Sequence, residues 1–151
     1  MKADNIVEVR DLKVHFSITE GLLRRQVGIL PAVDGVSFDI LRGETFSLVG
    51  ESGCGKSTTA LSVLKMQPVT SGTITFNNED ITHHSASQMR PIRRKVQMVY
   101  QDPYGSLNPR MKVGSIIGEP LRVHGMAGDK EKYNARIREL MQVGGLITDL
   151  V

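Results

Sequence analysis

The sequence has no tryptophan, one cysteine and no long hydrophobic run. Cys54 alone cannot form an internal disulfide, which fits a reducing compartment. No apolar run approaches the roughly 18 residues that a membrane-spanning helix needs, and Asp4 and Glu8 interrupt the N-terminal residues where a secretory signal would be apolar. The net charge of +3 over 151 residues is too small to predict nucleic-acid binding.

The composition is typical of one globular domain, with 40% hydrophobic and 23% charged residues. Apolar and β-branched residues predict strands over residues 6–16, 36–40, 45–49, 72–77 and 96–100, and residues 17–31 are interpreted as a connection or a frayed hairpin. Helices are predicted over residues 57–66, over 113–123 with an interruption at Pro120, and from Asp129 onward. A further short helix is predicted after Ser85, because Ser85 and Gln88 resemble a capping box, and Pro91 limits its length. Asn77 and Asn78 predict a turn.

One short segment carries most of the functional information. It matches the pattern G-x-x-x-x-G-K-[ST] at every fixed position and lies between a predicted strand and a predicted helix, as Gly50, Glu51, Ser52, Gly53, Cys54, Gly55, Lys56 and Ser57. Glycines allow backbone N–H groups to surround a phosphate, and the helix start adds its positive dipole end. Lys56 can reach the β- and γ-phosphates, while the Ser57 hydroxyl can bind Mg²⁺. The pattern predicts a nucleoside-triphosphate site, in which Cys54 is a variable position rather than a redox or nucleophilic residue.

A second segment distinguishes between classes of phosphate-loop protein. It begins at Val99 and reads Tyr100-Gln101-Asp102-Pro103-Tyr104-Gly105-Ser106-Leu107-Asn108-Pro109-Arg110. Gln101, at the end of a predicted buried strand, can place an amide beside Mg²⁺ and an attacking water. The residues after it are typical of a surface loop.

Together with Thr58, residues 32–38 and residues 43–45, these two segments resemble the ATP-binding subunits of ABC transporters, specifically the dipeptide and oligopeptide importer subgroup. The resemblance extends from Ile6 to about Gly145. It implies an α/β fold, with a P-loop NTPase core, an antiparallel β group and the start of an α-helical subdomain. It also implies that residues 1–151 are one N-terminal part of an ABC ATPase domain, with the core at about 1–110 and the helical subdomain starting at about 111.

The resemblance also implies roles, cofactors and partners. Phe16 matches the aromatic residue that stacks on adenine, Gln101 matches the Q-loop glutamine, and residues 104–113 match the region near the membrane-subunit contact. ATP and Mg²⁺ are the implied cofactors, with Ser57 and Gln101 at the metal. The implied partners are membrane-spanning permease subunits, a second ATP-binding subunit and, indirectly, a periplasmic or extracellular solute-binding protein. The implied location is peripheral, at the cytoplasmic face of the membrane, with no nucleic-acid partner.

Four motifs of this family are not recognisable between Thr58 and Val151. These are the Leu-Ser-Gly-Gly-Gln signature, the Walker B strand with its Asp-Glu pair, the D-loop and the switch histidine. Gly144-Gly145 has the wrong neighbours for the signature. We therefore expect the chain to stop inside the helical subdomain, to bind ATP weakly if at all, to hydrolyse it negligibly and to be poorly soluble.

Two other functions stay open at this point. A small P-loop kinase would use Lys56 and Ser57 for ATP and Asp102 to order the metal, but it gives no reason for the segment around Gln101. A non-catalytic nucleotide-dependent interaction module would bind ATP without turnover. The basic residues Arg90, Arg93, Arg94 and Lys95 and the pair His83-His84 are interpreted as surface polar residues rather than as nucleic-acid or metal sites.

Overall fold

The computed structural model describes residues 4–21 and 25–147, and within α3 it leaves out the side chains of Pro103 and Tyr104. The chain divides into two compact units, residues Met1–Gln97 and Met98–Val151. In the described part, unit 1 contains a four-stranded antiparallel sheet and two helices, and unit 2 contains three helices. The predicted α/β class with an antiparallel β group is confirmed, whereas the predicted division near residue 110 stays a prediction.

A long antiparallel hairpin forms one side of the sheet. Strand β1 spans Asn5–Glu20 and strand β2 spans Arg25–Leu41, and they pair from Asn5↔Leu41 to Glu20↔Arg25. Residues 17–31 therefore belong mostly to regular strands, so the interpretation as a connection was wrong and the hairpin alternative was closer. The pairing extends along the whole length because several bulges, one of them at Gly35 with φ +80°, absorb residues that would otherwise shift the register.

The other side of the sheet is shorter. Strand β3 spans Ser71–Phe76 and pairs with β1, and β4 spans Glu79–Asp80 and pairs with β3, giving the order β2-β1-β3-β4. Asn77 and Asn78, with φ +49° and +64°, join β3 to β4. This confirms the predicted turn, since asparagine tolerates the left-handed conformation that a two-residue hairpin loop requires.

The apolar core of unit 1 lies on one face of this sheet. Helix α1 spans Lys56–Val63 and α2 spans Ala86–Ile92. The predicted capping box is present, because Ser85 accepts from the Gln88 N–H while the Gln88 side chain accepts from the Ser85 N–H, and α2 ends one residue beyond Pro91. The buried apolar side chains come from β1, β2, β3, α2 and the segment after β4, namely Val9, Leu12, Val14, Val33, Ile74, Phe76, Ile81, Met89 and Ile92.

Two predicted strands are absent from the positions where the apolar runs placed them. Residues 45–49 and 96–100 join no sheet, and Val49 and Val99 are 91% and 95% exposed. Both predictions were wrong because an apolar run becomes a strand only when a neighbouring strand satisfies its backbone groups. In the described part of unit 1 the only clear anchor of the first run is Phe46, whose ring stacks on Phe38 with centroids 4.9 Å apart.

Unit 2 is built on a helical hairpin. Helix α3 spans Pro103–Ser106, α4 spans Val113–Val123 and α5 spans Lys130–Val143. The predicted interruption at Pro120 is wrong, because α4 continues to Val123 and the Pro120 carbonyl still accepts from the N–H of His124 at 3.0 Å. No helix in the described ranges combines the length and apolar character needed to cross a membrane.

Three helices end in the same hydrogen-bonding motif. After α1 the N–H of Met66 reaches the Leu61 carbonyl, and after α5 the N–H of Leu146 reaches the Met141 carbonyl. The residue at the left-handed position is Lys65 after α1, Gly125 after α4 and Gly145 after α5. Gly145 belongs to the Gly144-Gly145 pair that was compared with the signature motif. In the structure it ends helix α5.

Candidate functional site

The glycine-rich loop is anchored on strand β2. Gly53 and Gly55 have φ values of +81° and +92°, which side chains other than glycine rarely adopt. A Cβ built at Gly55 would lie under 3.0 Å from the carbonyl oxygen of Ala32 and 3.5 Å from Cγ2 of Val33. Glycine is therefore required at position 55 for a steric as well as a conformational reason. The missing side chain lets the start of α1 lie against β2.

The Lys56 ammonium lies inside this loop. Its Nζ donates to the carbonyl oxygens of Gly50 at 2.8 Å and Glu51 at 2.6 Å, and it lies 3.6 Å from Sγ of Cys54. An ammonium has three donors, so two are held by strong acceptors and the third faces only a weak sulfur acceptor. The loop thus holds the positive charge of Lys56 in place. The third N–H of the ammonium remains able to donate to a stronger acceptor than sulfur, such as a phosphate oxygen.

Helix α1 adds a second positive element. Gly55 is its N-cap in a left-handed conformation, its first turn carries no acidic residue, and the N–H groups at this end have no partner within the helix. The hydroxyls of Thr59 and Ser62 bond back to carbonyls one turn earlier, whereas the Ser57 side chain is exposed at the helix start. Ser57 can therefore supply one oxygen to Mg²⁺, which keeps several waters and otherwise takes phosphate oxygens. The residues present fit a triphosphate with its magnesium ion.

Phe16 lies on the same face of the hairpin as the residues that support the loop. Val14 and Val33 are directly opposite each other and buried, and the next pair on this face, Phe16 and Leu30, is also directly opposite. Ala32 is an extra residue on β2 between these pairs, which is why Val33 and Leu30 share a face despite their odd spacing. Phe16 is 36% exposed, so its ring is not an ordinary buried core aromatic.

Gln101 lies in unit 2, just before α3. Together with Tyr100, Asp102, Gly105 and Ser106 it lines an open cleft of about 590 Å³. The Asp102 carboxylate accepts from the Gly105 N–H at 3.1 Å, so this carboxylate organises α3. Gln101 does not end a strand, contrary to the prediction, since residues 96–100 form none.

The structure therefore groups part of the predicted site. Phe16 and the loop residues, including Glu51, Ser52, Cys54 and Thr58, belong to unit 1, whereas Gln101 belongs to unit 2. The joint metal site of Ser57 and Gln101 stays a prediction. In the pair interpreted as surface histidines, His83 is exposed but His84 is only partly exposed and lies 2.9 Å from the Glu79 carboxylate through Nε2.

Sequence reasoning missed two features of the site. One is the contact of Gly55 with Ala32 and Val33, and the other is the position of Leu30 opposite Phe16. Both depend on the register of β2. The apolar run of residues 27–30 was the available signal, but Gly28 and Pro31 within and beside it favoured a loop.

Comparison with known proteins gives matches over most of the chain. The family described as ABC transporter matches residues 33–149. The chain is 45% identical over 144 residues to the oligopeptide transport ATP-binding protein AppF of Bacillus subtilis (strain 168), covering 95% of this chain and 44% of that protein. It is 44% identical over 144 residues to the glutathione import ATP-binding protein GsiA of Escherichia coli O157:H7, covering 95% and 23%. The chain thus spans less than half the length of these relatives.

Solved structures with a similar fold have lower sequence identity. The ATP-binding cassette MJ0796, in a dimeric post-hydrolysis state bound to ADP and Pi, aligns with a TM-score of 0.72 at 20% identity, over 95% of this chain and 59% of that one. CbiO1 from Clostridium perfringens, part of the ABC transporter complex cbiONQ, aligns with a TM-score of 0.68 at 23% identity, over 95% and 51%. These alignments show a shared fold.

Proposed function

Since the chain belongs to the ABC transporter family, we propose that its glycine-rich loop binds the triphosphate of ATP. The observation that carries this proposal is the Lys56 ammonium, held on the carbonyls of Gly50 and Glu51 inside a loop whose Gly55 is anchored on β2. A fixed charge with one weakly engaged donor needs little reorganisation to receive a phosphate oxygen.

Each residue of the loop has a role in this proposal. Lys56 neutralises charge on the β- and γ-phosphates, and the exposed Ser57 hydroxyl binds Mg²⁺, which would bridge phosphate oxygens. The left-handed glycines direct backbone N–H groups towards the anion. The remaining loop residues contribute backbone rather than side-chain contacts, and they are Glu51, Ser52, Cys54 and Thr58. Phe16 stacks on the base, and Gln101 contributes to the metal and the attacking water.

The wider function we propose is that of an ATP-binding subunit of a peptide importer. The named relatives, an oligopeptide transport protein and a glutathione import protein, support a small peptide as the solute. The subunit would work with membrane-spanning permeases, a second ATP-binding subunit and, indirectly, a solute-binding protein, at the cytoplasmic face of the membrane. We expect negligible turnover by the chain alone, because the Asp-Glu pair that would order the metal and polarise water is not recognisable in residues 58–151.

The direct test is ATP binding by the purified chain and by Lys56→Ala, with magnesium present. Removing a charge-assisted hydrogen-bond donor should weaken binding by about 10-fold to 100-fold. Lys95→Ala is the matched control, because it removes the same charge from an exposed position in the same unit. Equal affinities for the wild-type chain and Lys56→Ala would overturn the proposal, and turnover near that of an intact transporter would contradict the expected inactivity.

A further inference from the structure

The hairpin beyond the phosphate loop carries an exposed apolar surface. On the loop-facing side its side chains are Phe16, Ile18 and Leu30, which continue the buried pair of Val14 and Val33 outward. Leu30 is 54% exposed and lies directly opposite Phe16. An aromatic and an aliphatic side chain thus form one continuous patch at the edge of the nucleotide site.

Strand β2 sets the distance between this patch and the phosphate loop. Val33 contacts the start of α1 at Gly55, and Leu30 lies three residues along β2 from Val33. At about 3.3 Å per residue, less the shortening by the bulge at Ala32, the patch lies about 7–10 Å along the strand from the phosphate anchor. A ligand held by its phosphates in the loop and extended along β2 therefore reaches the patch with its other end.

We propose that Leu30 is a second contact for the nucleotide base, beside Phe16, and that this surface binds bases by their apolar faces. The proposal rests on the proposed triphosphate site and extends it to the other end of the nucleotide. The side chains of Phe16, Ile18 and Leu30 carry no hydrogen-bonding group, so they contact a base without reading its edge. Leu30 should therefore increase the affinity for ATP and for GTP by the same factor, although their bases differ in their hydrogen-bonding edges.

The chain contains a matched control beside Leu30. Ile29 is 58% exposed, also aliphatic and adjacent in sequence, but it pairs with Ser17 on the opposite face of the hairpin. Leu30→Ala and Ile29→Ala therefore remove similar apolar area from the same exposed strand. Only the first change alters the surface beside Phe16.

The experiment measures binding of ATP, GTP and inorganic tripolyphosphate to the full chain by amide chemical-shift titration, which also quantifies weak affinities. Partial loss of apolar contact should weaken ATP and GTP binding to Leu30→Ala by the same factor, about threefold to tenfold. Tripolyphosphate, which has no base, should bind all variants equally, and Ile29→Ala should match the wild-type chain.

Each outcome decides the proposal. It is overturned if Leu30→Ala and Ile29→Ala behave alike, if only ATP or only GTP is affected, or if tripolyphosphate binding falls by the same factor as ATP binding. Failure of the triphosphate site itself is recognised separately, because tripolyphosphate would then bind the wild-type chain and Lys56→Ala equally.

Discussion

The two left-handed glycines of the phosphate loop allow a sharp test of how the loop is held. Gly53 and Gly55 have similar φ values, +81° and +92°. A Cβ at Gly53 would meet nothing within 4 Å, whereas a Cβ at Gly55 would lie under 3.0 Å from the Ala32 carbonyl oxygen. Alanine at the two positions therefore imposes similar backbone strain but a different steric cost.

The expected magnitudes follow from these contacts. An alanine in the left-handed region costs about 1–2 kcal/mol at either position. At Gly55 the overlap with a backbone carbonyl, which cannot rotate away as a flexible side chain can, adds about 1–3 kcal/mol. The loss of unfolded-state entropy on replacing glycine by alanine is about 0.4–1 kcal/mol and is common to both variants. Gly55→Ala should therefore be less stable than Gly53→Ala by about 1–3 kcal/mol.

The measurement is urea unfolding followed by far-ultraviolet circular dichroism, because the chain has no tryptophan to report by fluorescence. The wild-type chain and both variants should share one m-value, so that the midpoint shift reports stability alone. Equal free energies of unfolding for Gly53→Ala and Gly55→Ala would refute the anchoring of the loop on β2. In that case the requirement for glycine at both positions would be conformational only.

Two further predictions concern unit 2. A Cβ at Gly118 in α4 would lie under 3.0 Å from the hydroxyl end of Tyr133 and from Cδ1 of the buried Ile137 in α5. Both side chains would have to move, and overpacking of about 1–3 kcal/mol offsets the helix-propensity gain of about 1 kcal/mol. Thermal unfolding should therefore give Gly118→Ala a lower midpoint than Gly128→Ala, whose Cβ meets nothing within 4 Å, and equal midpoints would contradict this packing. The Asp129 carboxylate caps the N-terminus of α5. Its pKa is lowered from the ordinary value of 3.8 by hydrogen bonds from the backbone N–H of Lys132, the Lys132 ammonium and the N–H of Glu131. Because the pKa of Asp129 is lower in the folded state, the stabilisation of α5 by the ionised carboxylate is complete above pH 3.8 and disappears as the pH falls through the lowered pKa. Amide exchange should show this loss of α5 stability at low pH in the wild-type chain but not in Asp129→Asn. An identical pH dependence in both chains would exclude the carboxylate as its source.

Local patterns predicted the features that local geometry determines. The left-handed glycines before α1, the Ser85–Gln88 capping box and the Asn77-Asn78 turn each depend on residues within a few positions of one another. The apolar runs at residues 45–49 and 96–100 predicted strands that are not there, because a strand depends on a partner segment that the run itself does not specify. The position of Leu30 was not predictable for the same reason, since it follows from bulges that set the register of β1 against β2.

Strand β2 connects the two ends of the proposed nucleotide site. Its Ala32–Val33 segment contacts Gly55 at the phosphate end, and its Leu30 lies opposite Phe16 at the base end. Because a paired strand has a fixed rise of about 3.3 Å per residue, β2 fixes the spacing between the phosphate loop and the base contacts. The bulge at Ala32 is what puts Val33 and Leu30 on one face. If β2 paired regularly onward from Val14↔Val33, Pro31 would lie opposite Phe16 and Leu30 would point to the other face of the hairpin. The geometry of the site is therefore determined as much by one unpaired residue in a strand as by the glycine-rich loop.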